Sequence, residues 1–96
     1  MTREELQQLL LEPSPAGAKI FRQHGDVLKY LVIWEDYVRH VGTNLERGIH
    51  SPMGRARMTI MDTYGIAKQT FYTIRNVLRI YCPDDPSLQD GWFRTY

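Results

Sequence analysis

The chain has 96 residues, of which 43% are hydrophobic and 11% aromatic, and its formal net charge is +1 at pH 7. This length suits one small domain with a single modest core and excludes a separate catalytic domain, while the apolar content excludes a disordered protein. Cys82 is the one cysteine, so no disulfide can form within the chain and a cysteine-based metal site is not expected.

Two short helices are predicted at the N-terminus. Thr2 can accept the capping hydrogen bond of the first helix, which ends before Pro13. The second helix is predicted over residues 16–24, with Ile20 and Phe21 buried. Both helices are therefore expected to contribute apolar side chains to the core.

The third predicted helix, residues 27–41, has the clearest periodicity in the chain. Its apolar side chains recur at alternating spacings of four and three residues and share one face: Val27, Leu31, Trp34, Val38 and Val41. That face is widened by Tyr30, Ile33 and Tyr37, and Gly42 is predicted to end the helix. So broad a surface predicts either a central core helix or a core helix that also supplies a dimer seam.

The second half of the chain is predicted to contain two more helices. Residues 43–54 contain Gly48, Pro52 and Gly54 and are predicted to be a connection, with room for one turn of helix over residues 44–47. A short helix is predicted over residues 55–63, a turn over 64–66 and a longer helix over 67–81. Residues 82–96 comprise an acidic segment after the last helix and an aromatic tail. The tail is expected to pack on another surface. The sequence therefore predicts an all-α bundle of four or five helices in a single domain.

Positive charge is concentrated in residues 43–81, which carry a net charge of +4. The basic side chains there are Arg47, Arg55, Arg57, Lys68, Arg75 and Arg79. Residues 82–96 carry −2 by contrast. Such a local basic patch favours a polyanionic partner, although the overall charge is small. The alternative interpretation is that these basic side chains form an ordinary solvated face.

Residues 55–81 have the pattern of a helix-turn-helix, in which two helices cross steeply through a tight turn. The turn needs a residue that tolerates a positive φ, and Gly65 supplies it. Apolar side chains must also point into the angle between the helices from both sides. Those in the right places are Ile60, Tyr64, Ile66, Phe71 and Ile74.

The sequence YGIAKQTFY at residues 64–72 resembles the turn and the start of the recognition helix in helix-turn-helix DNA-binding domains of the transposase and resolvase type. The resemblance covers roughly a quarter of the chain. It departs from the family at Met61, where a small side chain is preferred four positions before the glycine. The family implies a second helix, beginning near Ala67, that lies in the major groove of DNA.

The resemblance also implies roles for individual side chains. The exposed positions of the second helix are then Ala67, Lys68, Gln69, Tyr72, Thr73 and Asn76. Gln and Asn can pair bidentately with adenine, and Lys can donate to guanine. Phosphate contacts are expected from Thr70, Tyr72, Arg75, Arg55 and Arg57.

The predicted function is that of a small DNA-binding protein, either a transcriptional regulator or an accessory factor of a phage or mobile element. A homodimer would suit a palindromic site, through the helix over residues 27–41 or through the aromatic tail. The alternative is a protein-interaction or oligomeric assembly module, in which the same apolar surfaces bind protein and the basic stretch is only solvated.

Other kinds of site find little support in the sequence. His24, His40 and His50 are not spaced like metal ligands, so no metal and no cofactor are expected. Their alternative roles are surface or capping residues. A triad of Ser51, His50 and Asp62 has no support from spacing, so catalysis is not expected. The N-terminus lacks a signal peptide and no run has the length of a membrane span, which leads us to expect a cytoplasmic protein.

Overall fold

The computed structural model describes residues 1–92, and it contains five α-helices, a short 3-10 helix and no strand within that range. In chain order the helices are α1 (Arg3–Leu11), α2 (Pro15–Gln23), α3 (Val27–Glu46), α4 (Pro52–Tyr64), α5 (Lys68–Tyr81) and the 3-10 helix (Pro86–Leu88). The predicted all-α bundle is confirmed.

The first helix begins at a complete capping box. The Thr2 hydroxyl accepts a hydrogen bond from the Glu5 amide at 3.1 Å, and the Glu5 carboxylate accepts one from the Thr2 amide at 3.3 Å. Two amides that the helix cannot satisfy internally are therefore paired. The predicted cap at Thr2 is confirmed.

The second helix packs closely against the first through a glycine. A Cβ added at Gly17 would lie 2.6 Å from the Leu9 carbonyl oxygen, so the two backbones approach too closely for a larger residue. Gly17 and Ile20, three residues apart, form the buried face of α2. Phe21 is rotated about 100° from Ile20 on the helix and is 37% exposed. The prediction that Phe21 is buried was wrong.

The third helix is longer than predicted and continues to Glu46. Gly42 is an exposed residue inside it, so the predicted end at that glycine was wrong. Glycine weakens a helix interior by about 1 kcal/mol, which the packing of neighbouring Val41 and Leu45 against the core can offset. The chain turns instead at Gly48, whose φ is +65°.

The third helix lies at the centre of the core and contacts α1, α4 and α5. Its buried side chains are Val27, Leu31, Ile33, Trp34, Tyr37 and Val41. The predicted core helix is confirmed. Because this face is covered within the chain, it is not open to a second copy, and Val32 is the large apolar side chain that α3 exposes.

The fourth helix begins three residues earlier than predicted. Ser51 has a φ of +54°, which redirects the chain, and Pro52 follows at the first helical position. Proline is suited to that position because its φ is already helical and its missing N–H needs no partner there. Residues 43–46 and 52–54 are therefore helical, and the predicted connection shortens to residues 47–51.

The segment after α5 closes the bundle against α3. The buried Trp34 indole N–H donates to the Ser87 hydroxyl at 2.9 Å, and Leu88 is fully buried. Trp92 is partly buried against the core, with its ring 6.1 Å from that of Tyr37. The packing predicted for the aromatic tail thus holds for Trp92, and residues 93–96 lie outside the described residues.

Candidate nucleic-acid interface

The turn between α4 and α5 depends on one glycine. Gly65 has φ +63° and ψ +37°, the left-handed conformation predicted for it. The amides of Gly65 and Ile66 both donate to the Met61 carbonyl, which satisfies the end of α4. Ala67 is extended and α5 begins at Lys68, one residue later than predicted.

The apolar side chains on both sides of the turn point inward. Ile60, Phe71 and Ile74 are buried, and Tyr64 and Ile66 are half-buried against the core. Residues 52–81 therefore form two helices joined by a three-residue turn, with the predicted apolar residues on the inside. Their assignment as a DNA-binding helix-turn-helix stays a prediction.

The end of α4 is tied to α3 by a tyrosine. The Tyr64 hydroxyl donates to the Asp36 carboxylate at 2.9 Å, and this hydrogen bond, together with burial, raises the pKa of Tyr64. Asp36 also pairs with Arg39 and lies 3.6 Å from the His40 ring nitrogen. The turn is thus held at a defined position relative to the central helix.

The first half of α5 exposes a polar face to solvent. Gln69, Thr73 and Asn76 are exposed and lie four and three residues apart, so they share one side of the helix. Lys68 is exposed at the start of the helix, next to exposed Ala67. The Lys68 and Gln69 side chains have no hydrogen-bond or ion-pair partner among residues 1–92.

A second group of predicted contacts is not on that open face. Tyr72 is half-buried, and its hydroxyl accepts a hydrogen bond from Arg57 at 2.8 Å. The guanidinium carbons of Arg57 and Arg75 lie 5.9 Å and 5.0 Å from the Tyr72 ring centroid. Thr70 is half-buried as well. The structure therefore separates the predicted residues into an open polar face and an arginine–tyrosine cluster of Arg57, Tyr72 and Arg75.

Asp90 is a partner of this region that the sequence reasoning missed. Its carboxylate lies 3.2 Å from Arg75 and 3.5 Å from Arg79. The same arginines donate to the Asn76 side-chain oxygen at 3.4 Å and 3.3 Å. The signal available in the sequence was the negative charge of residues 82–96, but spacing alone does not show which basic side chain it meets.

The two arginines at the start of α4 have different surroundings. Arg55 is exposed in the first turn of the helix and has no side-chain partner among the described residues. Arg57 is half-buried at Tyr72. Of the pair predicted to contact phosphates, Arg55 is therefore the one freely presented to solvent.

The histidines occupy separate places. His24 ends α2 and its Nδ1 lies 2.5 Å from the Tyr81 hydroxyl, His40 lies beside Asp36, and His50 is exposed. In residues 1–92 no three acidic, histidine or cysteine side chains are grouped so that they could hold a metal ion. None of the helices described is long and apolar enough to cross a membrane.

No family model, curated protein or solved structure matches the chain. The resemblance to helix-turn-helix domains consequently rests on the residues around Gly65.

Proposed function

We propose that the protein binds double-stranded DNA, with α5 placed in the major groove. The observation that carries the proposal is the open polar face of Lys68, Gln69, Thr73 and Asn76, which follows directly on the Gly65 turn. A helix presented after such a turn can place its N-terminal residues at base edges.

The side chains on this face suit base recognition. The amides of Gln69 and Asn76 match the donor and acceptor pair of adenine, and the Lys68 ammonium matches the acceptors of guanine. Lys68 and Gln69 are not engaged elsewhere within residues 1–92, so forming these contacts would break no intramolecular bond. The Asn76 oxygen already accepts from Arg75 and Arg79, so pairing both of its amide groups with adenine would exchange these hydrogen bonds, which are long at 3.4 Å and 3.3 Å.

Phosphate contacts are expected at two places. Arg55 presents an unpaired guanidinium in the first turn of α4. At the start of α5, Ala67 has no side chain able to cap the helix, so the first amides are left without a capping acceptor among the described residues. The positive end of a helix favours a phosphate at such amides.

The rival function, a protein-interaction module, used the wide apolar face of α3 and the aromatic tail. Most of that face is buried in the chain's own core, with Tyr30 and Val38 half-buried against it. Large apolar side chains that remain exposed, such as Met58 and Ile80, lie on different helices. Isolated exposed apolar residues are ordinary on protein surfaces, and DNA therefore suits the exposed chemistry better.

The finer proposal is a cytoplasmic regulator or accessory factor of a phage or mobile element that acts as a two-fold dimer on a palindromic site. Because most of the α3 face is covered, the aromatic tail is the other expected dimer surface, and its residues 93–96 lie outside the described residues. The +4 charge of residues 43–81 supports the polyanionic partner.

The proposal is tested by the salt dependence of binding to a random-sequence duplex, followed by fluorescence anisotropy. Because Lys and Arg contacts release counterions, the logarithm of the association constant should fall linearly with the logarithm of salt between about 50 and about 200 mM. A slope between about −2 and −4 corresponds to a few phosphate contacts. The absence of binding at the lowest salt would exclude DNA as the ligand.

A further inference from the structure

A cavity of about 160 Å³ lies where α3, α4 and α5 meet the segment after α5. The lining residues that matter here are Trp34, Tyr37, Arg57, Tyr72, Arg75 and Trp92. With Phe71, which also lines it, two positive side chains and five aromatic side chains thus border one small space. The open face of Gln69 and Asn76 does not line it.

Both arginines of the cavity wall carry an unpaired donor. The Nε atoms of Arg57 and Arg75 are buried, and neither has a hydrogen-bond partner within residues 1–92. Buried donors of charged groups are nearly always paired, because an unpaired one keeps the full cost of leaving water. Unpaired donors on both arginines of one cavity wall favour the binding of an acceptor by these two side chains.

The charge around the cavity is not balanced. Arg57 forms no ion pair with any carboxylate in residues 1–92. Arg75 pairs with Asp90, but that carboxylate is 77% exposed and is shared with Arg79. Arg57 and Arg75 therefore place two like charges beside the same Tyr72 ring, with one solvent-screened carboxylate as the ion-pair partner of Arg75.

The remaining polar groups of the wall do not supply an anion. Burial raises the pKa of Tyr37 to about 12, despite the nearby Arg57, so its phenol stays neutral at physiological pH. The Ser87 hydroxyl already accepts from Trp34 and donates to Asp85. Within residues 1–92 Arg57 thus has no anionic partner, Arg75 has only the exposed Asp90, and an external anion would fit between them.

We infer that this cavity is a binding site for a phosphate group, held by Arg57 and Arg75. The guanidinium fork pairs with phosphate oxygens through two parallel N–H donors, and arginine is suited to such a half-buried position. The volume is below the roughly 300 Å³ of sites for drug-sized ligands, which favours a phosphate group over a whole nucleotide. The phosphate comes either from a free phosphate or monoester or from a DNA backbone.

The test is a titration of the ¹⁵N-labelled protein with inorganic phosphate at constant ionic strength, set by chloride. The Nε–H signals of Arg57 and Arg75 should shift and saturate together, while that of exposed Arg22 on α2 should not. Tryptophan fluorescence gives a second readout, because both tryptophans of the chain, Trp34 and Trp92, line the cavity.

Variants assign the effect to the cavity. Arg57→Gln and Arg75→Gln should each weaken phosphate binding about tenfold or more, the loss of one charge-assisted hydrogen bond. Arg22→Gln is the matched control and should leave it unchanged. Arg57→Lys keeps the charge and loses the fork, so it should weaken binding without abolishing it. The wild-type titration decides the question even where a glutamine variant does not fold.

A parallel titration with a short duplex separates the two sources of phosphate. Saturation by free phosphate, with no shift of the two Nε–H signals on adding duplex, assigns a free phosphate or monoester. Shifts at lower concentrations of duplex than of free phosphate assign a backbone phosphate. The inference is overturned if neither ligand moves the signals, or if Arg22→Gln weakens binding as much as Arg57→Gln. A failure to bind DNA leaves the free-phosphate titration intact.

Discussion

Gly65 and Gly42 show at the residue scale how one residue type serves two backbone conformations. Gly65 has a φ of +63° and a Cβ there would meet no neighbour, so its requirement is one of backbone dihedral alone. A side chain in the left-handed conformation costs about 1–2 kcal/mol. Gly65→Ala should therefore lower the free energy of unfolding by about 1 kcal/mol, measured by urea denaturation.

Gly42→Ala is the matched control, with the opposite sign. Gly42 lies inside α3 with open space around its Cα, so alanine meets no neighbour and adds helix propensity. The free energy of unfolding should rise by about 0.5–1 kcal/mol. A gain in stability from both substitutions would contradict the role given to the Gly65 turn.

These two positions also mark what residue type can predict. The turn at Gly65 was predictable because apolar residues at helical spacing lie on both sides of it. The same criterion, applied at Gly42, would have extended the helix, because Leu45 continues the alternating four-and-three spacing of apolar residues beyond that glycine. Leu45 is half-buried against the core, as that spacing requires.

At the level of single helices, α5 presents three faces that have different surroundings. Phe71, Ile74 and Leu78 are buried, Tyr72 and Arg75 line the cavity, and the third face is open to solvent. The periodicity of the apolar positions was enough to predict the buried face. It was not enough to predict which polar residues line the cavity and which face solvent, because that depends on what packs beside the helix.

The open face and the start of α4 are predicted to act differently on DNA. Replacing Gln69 or Asn76 with alanine should change the preferred sequence, with a loss of about 1–3 kcal/mol at one base pair. Arg55→Gln should weaken binding to all sequences alike and reduce the salt slope by about 1. Selection from a random duplex pool measures the preference for each variant.

Arg22→Gln serves again as the control, since Arg22 lies on α2 and outside the proposed interface. It should leave both affinity and preference unchanged. Equal losses for Gln69→Ala, Asn76→Ala and Arg55→Gln, without any change of preferred sequence, would remove the division between base and phosphate contacts.

At the scale of the whole molecule, the N-terminal helix is held to the C-terminal segment by an ion pair. Arg3 donates to Asp85 at 2.6 Å and to Glu35 at 2.8 Å, and the Met1 amine donates to the Tyr81 carbonyl at 3.3 Å. Burial of Asp85 favours the neutral acid, but the hydrogen bonds from Ser87 and Arg3 outweigh it and lower the pKa of Asp85.

This lowered pKa predicts the pH dependence of stability. The folded protein holds the Asp85 proton less tightly than the unfolded chain does, so the ionised pair stabilises the fold above the ordinary pKa of 3.8. The contribution is lost as the pH falls through the folded-state pKa. Asp85→Asn should lower the free energy of unfolding by about 2 kcal/mol at pH 7 and reduce its decline in acid.

Asp84→Asn is the control for this prediction, because Asp84 is the exposed neighbour of Asp85. Thermal unfolding followed by circular dichroism between about pH 3 and pH 7 compares the variants. If Asp84→Asn and Asp85→Asn lost the same stability at pH 7, the ion pair with Arg3 would not be the cause.

The features that could be predicted from the order of residues are local in origin. The helical class, the cap at Thr2, the central helix and the turn at Gly65 follow from spacing and side-chain chemistry within a few residues. Only the tertiary structure decided that Trp34 pairs with Ser87 across 53 positions, that Arg3 pairs with Asp85 across 82, and that Arg57 and Arg75 share one cavity. Such pairs depend on how helices pack, and helical spacing says which face a residue shares but not which distant residue that face meets.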